Sequence, residues 1–234
     1  MLISGKTPVG LWLSAICLIA ALACTALENM VAFDRTVQQL FFKNGEWLVT
    51  RAFHAEYKWL LYTGPKVCIG VIGVLFLLLF LASVWPGRLK ERLRLWQKPA
   101  LLVLLSIIFV PLIVSLLKAV TGVYSPVDVL SYGGTHPHIG LLEQLWAYGS
   151  TAGGRSFPAG HASGGFALLA LYCLPVQDKL KTSLLCLGSF AGWSMGLYQM
   201  ARGEHFLSHT LTTMFLALAI ITFFDWRLRT FKNL

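Results

Sequence analysis

Apolar stretches close to 20 residues long recur along the chain, and they restrict its fold more than any other feature. At a rise of 1.5 Å per residue, such a stretch matches the roughly 30 Å hydrocarbon core of a bilayer. Inside that core, a helix pairs every backbone N–H and C=O within itself. The predicted spans are residues 9–27, 67–85, 99–120, 161–174, 182–201 and 206–224. We therefore expect an all-α integral membrane protein, one domain over residues 1–234, with six transmembrane helices. The composition agrees: only 12% of the 234 residues are charged, whereas soluble domains carry about 25%.

The first run, Val9 to Leu27, follows Lys6 and could be mistaken for a signal peptide. Its 19 residues are long for such a segment, and it is read as a transmembrane helix. Residues 29–66 are mixed polar and aromatic. Val37, Leu40, Phe41, Trp47 and Leu48 approximate helical spacing, which predicts an amphipathic helix at the membrane interface. Pro86-Gly87 ends the second span, and a basic segment from Arg88 to Arg94 follows. Residues 121–160 form the longest loop, broken by Pro126, Gly133-Gly134, Pro137 and Gly153-Gly154; loops of that length are commonly functional.

Six spans place both termini on one side, together with Lys6, the 88–98 segment, the 179–181 turn and the tail 225–234. That side carries 11 of the 19 Lys and Arg residues in short segments, and the other carries 8 in longer loops. The positive-inside rule then makes both termini cytoplasmic. The long loop faces outward, which in a bacterial inner membrane means the periplasm. The net charge of +9 is explained by this topology and by anionic headgroups. No basic stripe interleaved with aromatics supports nucleic-acid binding. Cys17, Cys24, Cys68, Cys173 and Cys186 lie in or beside apolar segments without a CxxC pair, so neither a disulfide nor a zinc–thiolate site is expected.

Three short segments carry the candidate chemistry: Lys118 to Pro126, Pro158-Ala159-Gly160-His161, and Gln199 to His209. Each lies at or beside a span end, and counting crossings puts all three on the outer face. Histidines and cations together at a membrane surface point to chemistry on a lipid-borne phosphate. A phosphomonoester carries about two charges, and attack on it requires those charges to be offset by Arg or Lys donors. Lys118, Arg155 and Arg202 are the available cations. Gly160 at the start of the fourth span adds the unpaired N–H groups of a helix N-terminus.

Read as motifs, Lys118 is followed by six residues and then Ser125-Pro126. Then come Pro158-Ala159-Gly160-His161, and finally Tyr198-Gln199, five residues, His205, three residues and His209. This order resembles the membrane-bound type-2 phosphatidic acid phosphatase (PAP2) family, whose motifs run KxxxxxxRP, PSGH and SRxxxxxHxxxD. The gaps of 31 and 36 residues between motifs and the six-helix topology are also similar. The resemblance implies that His205 is a nucleophile forming a phosphohistidine, and that His161 is the acid that protonates the leaving oxygen and the base that then activates water. It implies no cofactor and no metal. The partner is a membrane lipid phosphate in a phospholipid bilayer: undecaprenyl pyrophosphate, phosphatidylglycerol phosphate, phosphatidic acid or a lipid A phosphate.

The chain also departs from the pattern. Ser125 replaces the arginine of the first motif, Tyr198-Gln199 replaces the Ser-Arg pair, and His209 replaces the aspartate. Arg155 and Arg202 are the expected replacements for the lost phosphate clamp. His209, one helical turn beyond His205, is the expected partner for that ring, with Asp128 or Glu204 as substitutes and Gln199 in a supporting place; Asp128 is otherwise expected to order the loop. Other readings remain at this stage: a lipid-binding protein without turnover, a lipid-to-lipid phosphotransferase, a transporter, or a metal held by the His205 and His209 pair. His54 is expected at the interface, and His136 and His138 in solvent.

Overall fold

The computed structural model describes residues 9–147 and 153–230. Lys6, the last four residues of the tail and residues 148–152 of the long loop lie outside the described residues. Apart from one short hairpin, the regular structure is helical. In chain order it comprises α1 (Val9–Asn29), α2 (Val31–Gln38), β1 (Phe42–Lys43), β2 (Glu46–Trp47), α3 (Arg51–Lys58), α4 (Gly64–Val84), α5 (Arg88–Leu93), α6 (Gln97–Thr121), α7 (Leu141–Ala147), α8 (Gly160–Ala167), α9 (Asp178–Ala201) and α10 (Leu207–Thr230).

Four stretches are long and apolar enough to cross a membrane: Val9–Leu27, Arg51–Val84, Arg88–Asp128 and Leu207–Thr230. The two other expected spans are helical but different in character. Residues 160–173 form the 8-residue α8 and a 6-residue 3₁₀ segment, Leu168–Cys173. Together these reach roughly 24 Å, short of a bilayer core. α9 is long enough at 24 residues, but its charged first turn and its glycines and serines lower its hydropathy.

α8 is the central element. Ala162, Phe166 and Ala167 are fully buried, and α4, α6, α9 and α10 pack around it. α1 lies along α10 on the outside. Trp12, Ile16, Ile19 and Leu22 of α1 and Val71, Val74, Leu75 and Leu78 of α4 are exposed, an apolar belt of the kind lipid covers. Between helices in lipid the hydrophobic effect gives little, so close packing of small residues must hold the bundle together. Gly188, Gly192 and Gly196 lie on one face of α9 at helical spacing. A Cβ at Gly192 would fall 2.1 Å from the Phe166 ring, and one at Gly188 would fall 2.8 Å from the backbone of Leu168.

The segment before α4 is not the single amphipathic helix expected. Asn44 and Gly45 both take positive φ, 54° and 83°, the turn that closes a two-residue hairpin. The hairpin aligns Phe42 with Trp47. Thr50 then caps α3, its Oγ accepting from Phe53 N at 3.2 Å. α3 runs through a π turn, Trp59–Thr63, into α4. The helical periodicity of residues 37–48 thus spans a turn that Asn44-Gly45 imposes.

Candidate active site

Helix ends gather at one end of the bundle. α4 opens there with Lys66 in its first turn, α6 closes with Lys118 in its last, α8 begins at Gly160-His161, and α9 closes near Gln199. His205 stands just before α10. They enclose a cavity of about 250 Å³. Its lining includes eight residues singled out from the sequence: Lys118, Ser125, Arg155, Gly160, His161, Gln199, Glu204 and His205. Tyr62 and Lys66 also line it, and the sequence reading missed both in this role.

Each segment is held by local geometry. α6 stops at Gly122, which takes φ 65°, a left-handed cap that glycine favours. The chain before α8 then lies against that cap: Thr121 Oγ donates to Phe157 O at 2.6 Å, and Ser156 N donates to Val123 O at 2.9 Å. A Cβ at Gly154 would sit 2.4 Å from the Gly122 and Val123 backbone, so only glycine permits this contact. The contact fixes Arg155 at the cavity and Ser156 behind it, against His205 and His209. Gly160 has Lys118 Nζ 3.2 Å from where its own Cβ would be, so the ammonium lies over the start of α8.

α9 ends in a Schellman turn. Gly203 N donates to Met200 O at 3.0 Å and Glu204 N to Gln199 O at 2.9 Å, with Gly203 at φ 76°, the pattern that satisfies the last carbonyls of a helix. This turn carries Arg202, Glu204 and His205 toward the cavity. Val127 N donates to Gly203 O at 2.8 Å, and Ala159 N to His209 O at 3.2 Å. The three motif segments are therefore tied directly to one another.

His205 is 4% exposed. Burial, reinforced by the Lys118 charge, pushes its pKa down to about 3, which keeps the ring neutral at pH 7. Neither ring nitrogen of His161 is paired among the described residues. Its ring stacks on Tyr62 with centroids 4.5 Å apart and planes 7° apart. Lys66 Nζ lies 3.9 Å from the Tyr62 centroid, a cation–π contact. Tyr62 sits in the π turn, a distortion often found at functional positions.

Two candidates, His209 and Arg202, lie elsewhere than expected, and Asp128 takes the loop-ordering place. His209 is fully buried behind the cavity, and its Nδ1 faces Ser156, 3.1 Å from both Oγ and O. It does not accept a hydrogen bond from His205, because His205 Nδ1 also turns to Ser156 Oγ at 3.1 Å. Arg202 donates to Gln199 Oε1 at 2.7 Å and to Glu204 Oε1 at 3.0 Å. It therefore braces two lining residues and itself faces an adjoining cavity of about 230 Å³, with Arg51, His54 and Trp47. Asp128 accepts from Ser125 N at 3.3 Å and shapes the first-motif turn. The expectations for His209 and Arg202 rested on helical spacing, and neither side chain is part of the cavity lining.

Ser156, 1% exposed, was not singled out from the sequence. Its only signal there was its place between Arg155 and Phe157, just before Pro158. His54 bonds Tyr198 Oη at 2.7 Å. His138, expected in solvent, stacks on Phe206 with centroids 4.4 Å apart, and burial together with Arg35 pushes its pKa down to about 4. Asp34 is fully buried and accepts from Ser208 N at 3.1 Å and from Ser208 Oγ. It thereby supplies a remote cap to α10, one turn from His205. Burial pushes its pKa up to about 6, against the opposing pull of those bonds. Among the described residues no group of three or more His, Cys, Asp and Glu is gathered to hold a metal ion.

No curated protein and no solved structure matches the chain. A family match covers residues 99–232, described as the PAP2 superfamily. That range contains every motif segment above and more than half of the chain, and so the chain belongs to the PAP2 superfamily.

Proposed function

We propose that this protein hydrolyses a phosphomonoester or pyrophosphate bond on a membrane lipid by way of a phosphohistidine at His205. PAP2 membership supports phosphatase activity on phosphoesters. The observation that carries the finer reading is the cavity itself. Two imidazoles, His205 and His161, line one hollow with three cations, Lys66, Lys118 and Arg155, and one carboxylate, Glu204. This net positive lining suits a phosphate dianion, and Gly160, at the start of α8, lines the same space.

In this reading the phosphate rests against Lys118, Arg155 and the start of α8. His205 Nε2 attacks phosphorus, and the bond to the leaving oxygen breaks. His161 gives its proton to that oxygen, so the lipid alcohol or lipid phosphate departs neutralised by one proton. The two charges of the bound phosphate favour the protonated form of His161 before this step. A water then attacks phosphorus, His161 takes its proton, and the P–N bond breaks. Inorganic phosphate leaves, and both imidazoles return to their starting states. The cationic side chains supply the charge stabilisation, so we propose that no metal takes part.

The site lies at the end of the bundle opposite α5, whose basic residues the positive-inside rule assigns to the cytoplasm. The proposed location is accordingly a bacterial inner membrane, with the cavity toward the periplasm and the lipid arriving laterally between helices. The proposed substrates are undecaprenyl pyrophosphate, phosphatidylglycerol phosphate, phosphatidic acid and lipid A phosphates.

The test is phosphate release by the purified protein from vesicles carrying each of these lipids, with EDTA present. Wild type should release phosphate from at least one, and His205→Ala and His161→Ala should each abolish release. Turnover by His205→Ala would remove the nucleophile assignment. Binding without release from any lipid would favour a lipid-binding role.

A further inference from the structure

We infer that Ser156 is the positioning residue that holds His205 in its reactive tautomer, in a chain that has His209 where the family motif has its aspartate. The inference rests on the assignment of His205 as nucleophile, and it follows from counting protons around one hydroxyl.

Ser156 Oγ has three polar neighbours: Glu204 O at 2.6 Å, His205 Nδ1 at 3.1 Å and His209 Nδ1 at 3.1 Å. A hydroxyl offers one proton and two lone pairs, and a carbonyl oxygen offers lone pairs only. The contact with Glu204 O is short and joins two oxygens, so it requires a proton between them. Only Ser156 can provide one, and its single proton is therefore committed to Glu204 O. Toward both histidines Oγ can then only accept. His205 Nδ1 must carry hydrogen, and its Nε2 must carry the lone pair.

His209 obeys the same count independently. Its Nδ1 also lies 3.1 Å from the Ser156 carbonyl, which cannot donate, so this ring too is protonated at Nδ1. Its Nε2 is buried and has no partner among the described residues. The Ser156 carbonyl draws on His205 as well. Oγ thus gives one hydrogen bond and takes two, with no capacity left over. A neutral residue fixes the nucleophile, and the second histidine serves as a donor to the same serine.

Two consequences separate this arrangement from a carboxylate-held ring. Nε2 is the nitrogen presented for attack, so phosphate on the enzyme is carried there. No negative charge faces Nδ1, so the ring gains a positive charge during attack with only neutral acceptors beside it. Deleting the hydroxyl removes a bond to a group that becomes charged. We expect kcat to fall about 10- to 100-fold, from the typical strength of such bonds and 1.36 kcal/mol per tenfold. The drop is bounded because the Ser156 carbonyl remains. KM should hardly move, since the hydroxyl is used by three protein groups and does not line the cavity.

The experiment combines kinetics with a direct reading of the ring. Protein labelled with ¹⁵N-histidine in detergent micelles, compared with its His205→Ala variant, identifies the His205 resonances. In wild type they should show a protonated Nδ1 and an unprotonated Nε2 at pH 7. Ser156→Ala should mix the tautomers and lower kcat, whereas Ser156→Thr, which keeps the hydroxyl, should retain both properties. A wild-type His205 protonated at Nε2 overturns the inference without any variant. So does a Ser156→Ala protein with unchanged tautomer and unchanged kcat. If His205→Ala still turns over, the nucleophile reading fails, while the tautomer measurement still reports on Ser156.

Discussion

Gly164 and Gly165 are adjacent in sequence, yet a methyl group should have opposite consequences at the two. A Cβ at Gly165 would lie 2.5 Å from Gly192 N and 2.6 Å from Ala191 C, both backbone atoms of α9. To reach the 3.4 Å of ordinary contact, α8 and α9 would have to separate by about 0.9 Å. A Cβ at Gly164 would meet only the end of the Ile69 side chain, at 3.2 Å, and a small rotation of that side chain relieves it. Gly165 is four residues from His161, on the same face of α8, so displacing it displaces the imidazole. Overpacking of this kind costs about 1–3 kcal/mol, and a misplacement near 1 Å in an active site can cost about 100-fold in rate. Gly165→Ala should therefore lower kcat by about two orders of magnitude and lower the melting temperature in detergent, whereas Gly164→Ala should stay within about threefold of wild type in rate, a difference under 1 kcal/mol. Phosphate release and thermal melting on the same preparations decide the matter. Equal behaviour of the two variants, or a Gly165→Ala protein with wild-type rate and melting temperature, would refute the packing argument.

Further expectations concern charge and tautomer. Lys118→Met should reduce kcat/KM by about 100- to 1,000-fold, the usual loss for one stabilising donor, with the helical circular dichroism spectrum retained. His209→Asp should not improve activity, because a carboxylate there would face the Ser156 carbonyl, an acceptor against an acceptor; a rate above wild type in the release assay would contradict this. The raised pKa of Asp34, to about 6 from 3.8, means the folded state binds a proton more tightly than the unfolded one. Stability from this group therefore falls as pH rises from about 4 to about 6, by about 3 kcal/mol at 1.36 kcal/mol per unit. Asp34→Asn should gain on wild type across that window in pH-dependent melting. His205 and His138 act in the opposite sense. Their folded-state pKa values are lowered to about 3 and about 4, so their contribution is complete above about pH 6.5 and is lost on acidification below it.

The departures from the family motifs acquire a physical account once the chain is folded. Ser125 lines the cavity where an arginine is the family residue, and Arg155 and Lys66 bring charge to the same hollow from other segments. Gln199, at the second missing arginine, accepts from Arg202, which also pairs with Glu204. The cation nearest to that motif in sequence thus braces the lining and does not itself line the cavity.

The sequence alone determined the helical class, the positions of the long apolar stretches and the three segments that meet. Length, hydropathy and motif spacing are properties of the chain read along one dimension, and a bilayer or a helix responds to them directly. Lys118, Arg155, His161 and His205 were legible for that reason. Only the tertiary structure decided which of the flanking groups face the cavity. Tyr62 reaches His161 through a π turn and a stacking contact, Lys66 joins from the start of a different helix, and Asp34 caps a helix 174 residues away. Ser156 outcompetes His209 as partner to His205 because hydrogen bonding depends on direction and distance between atoms. The fold of the 121–160 loop brings a hydroxyl to 3.1 Å of both imidazoles, whereas a spacing of four residues only places two rings on one side of a helix.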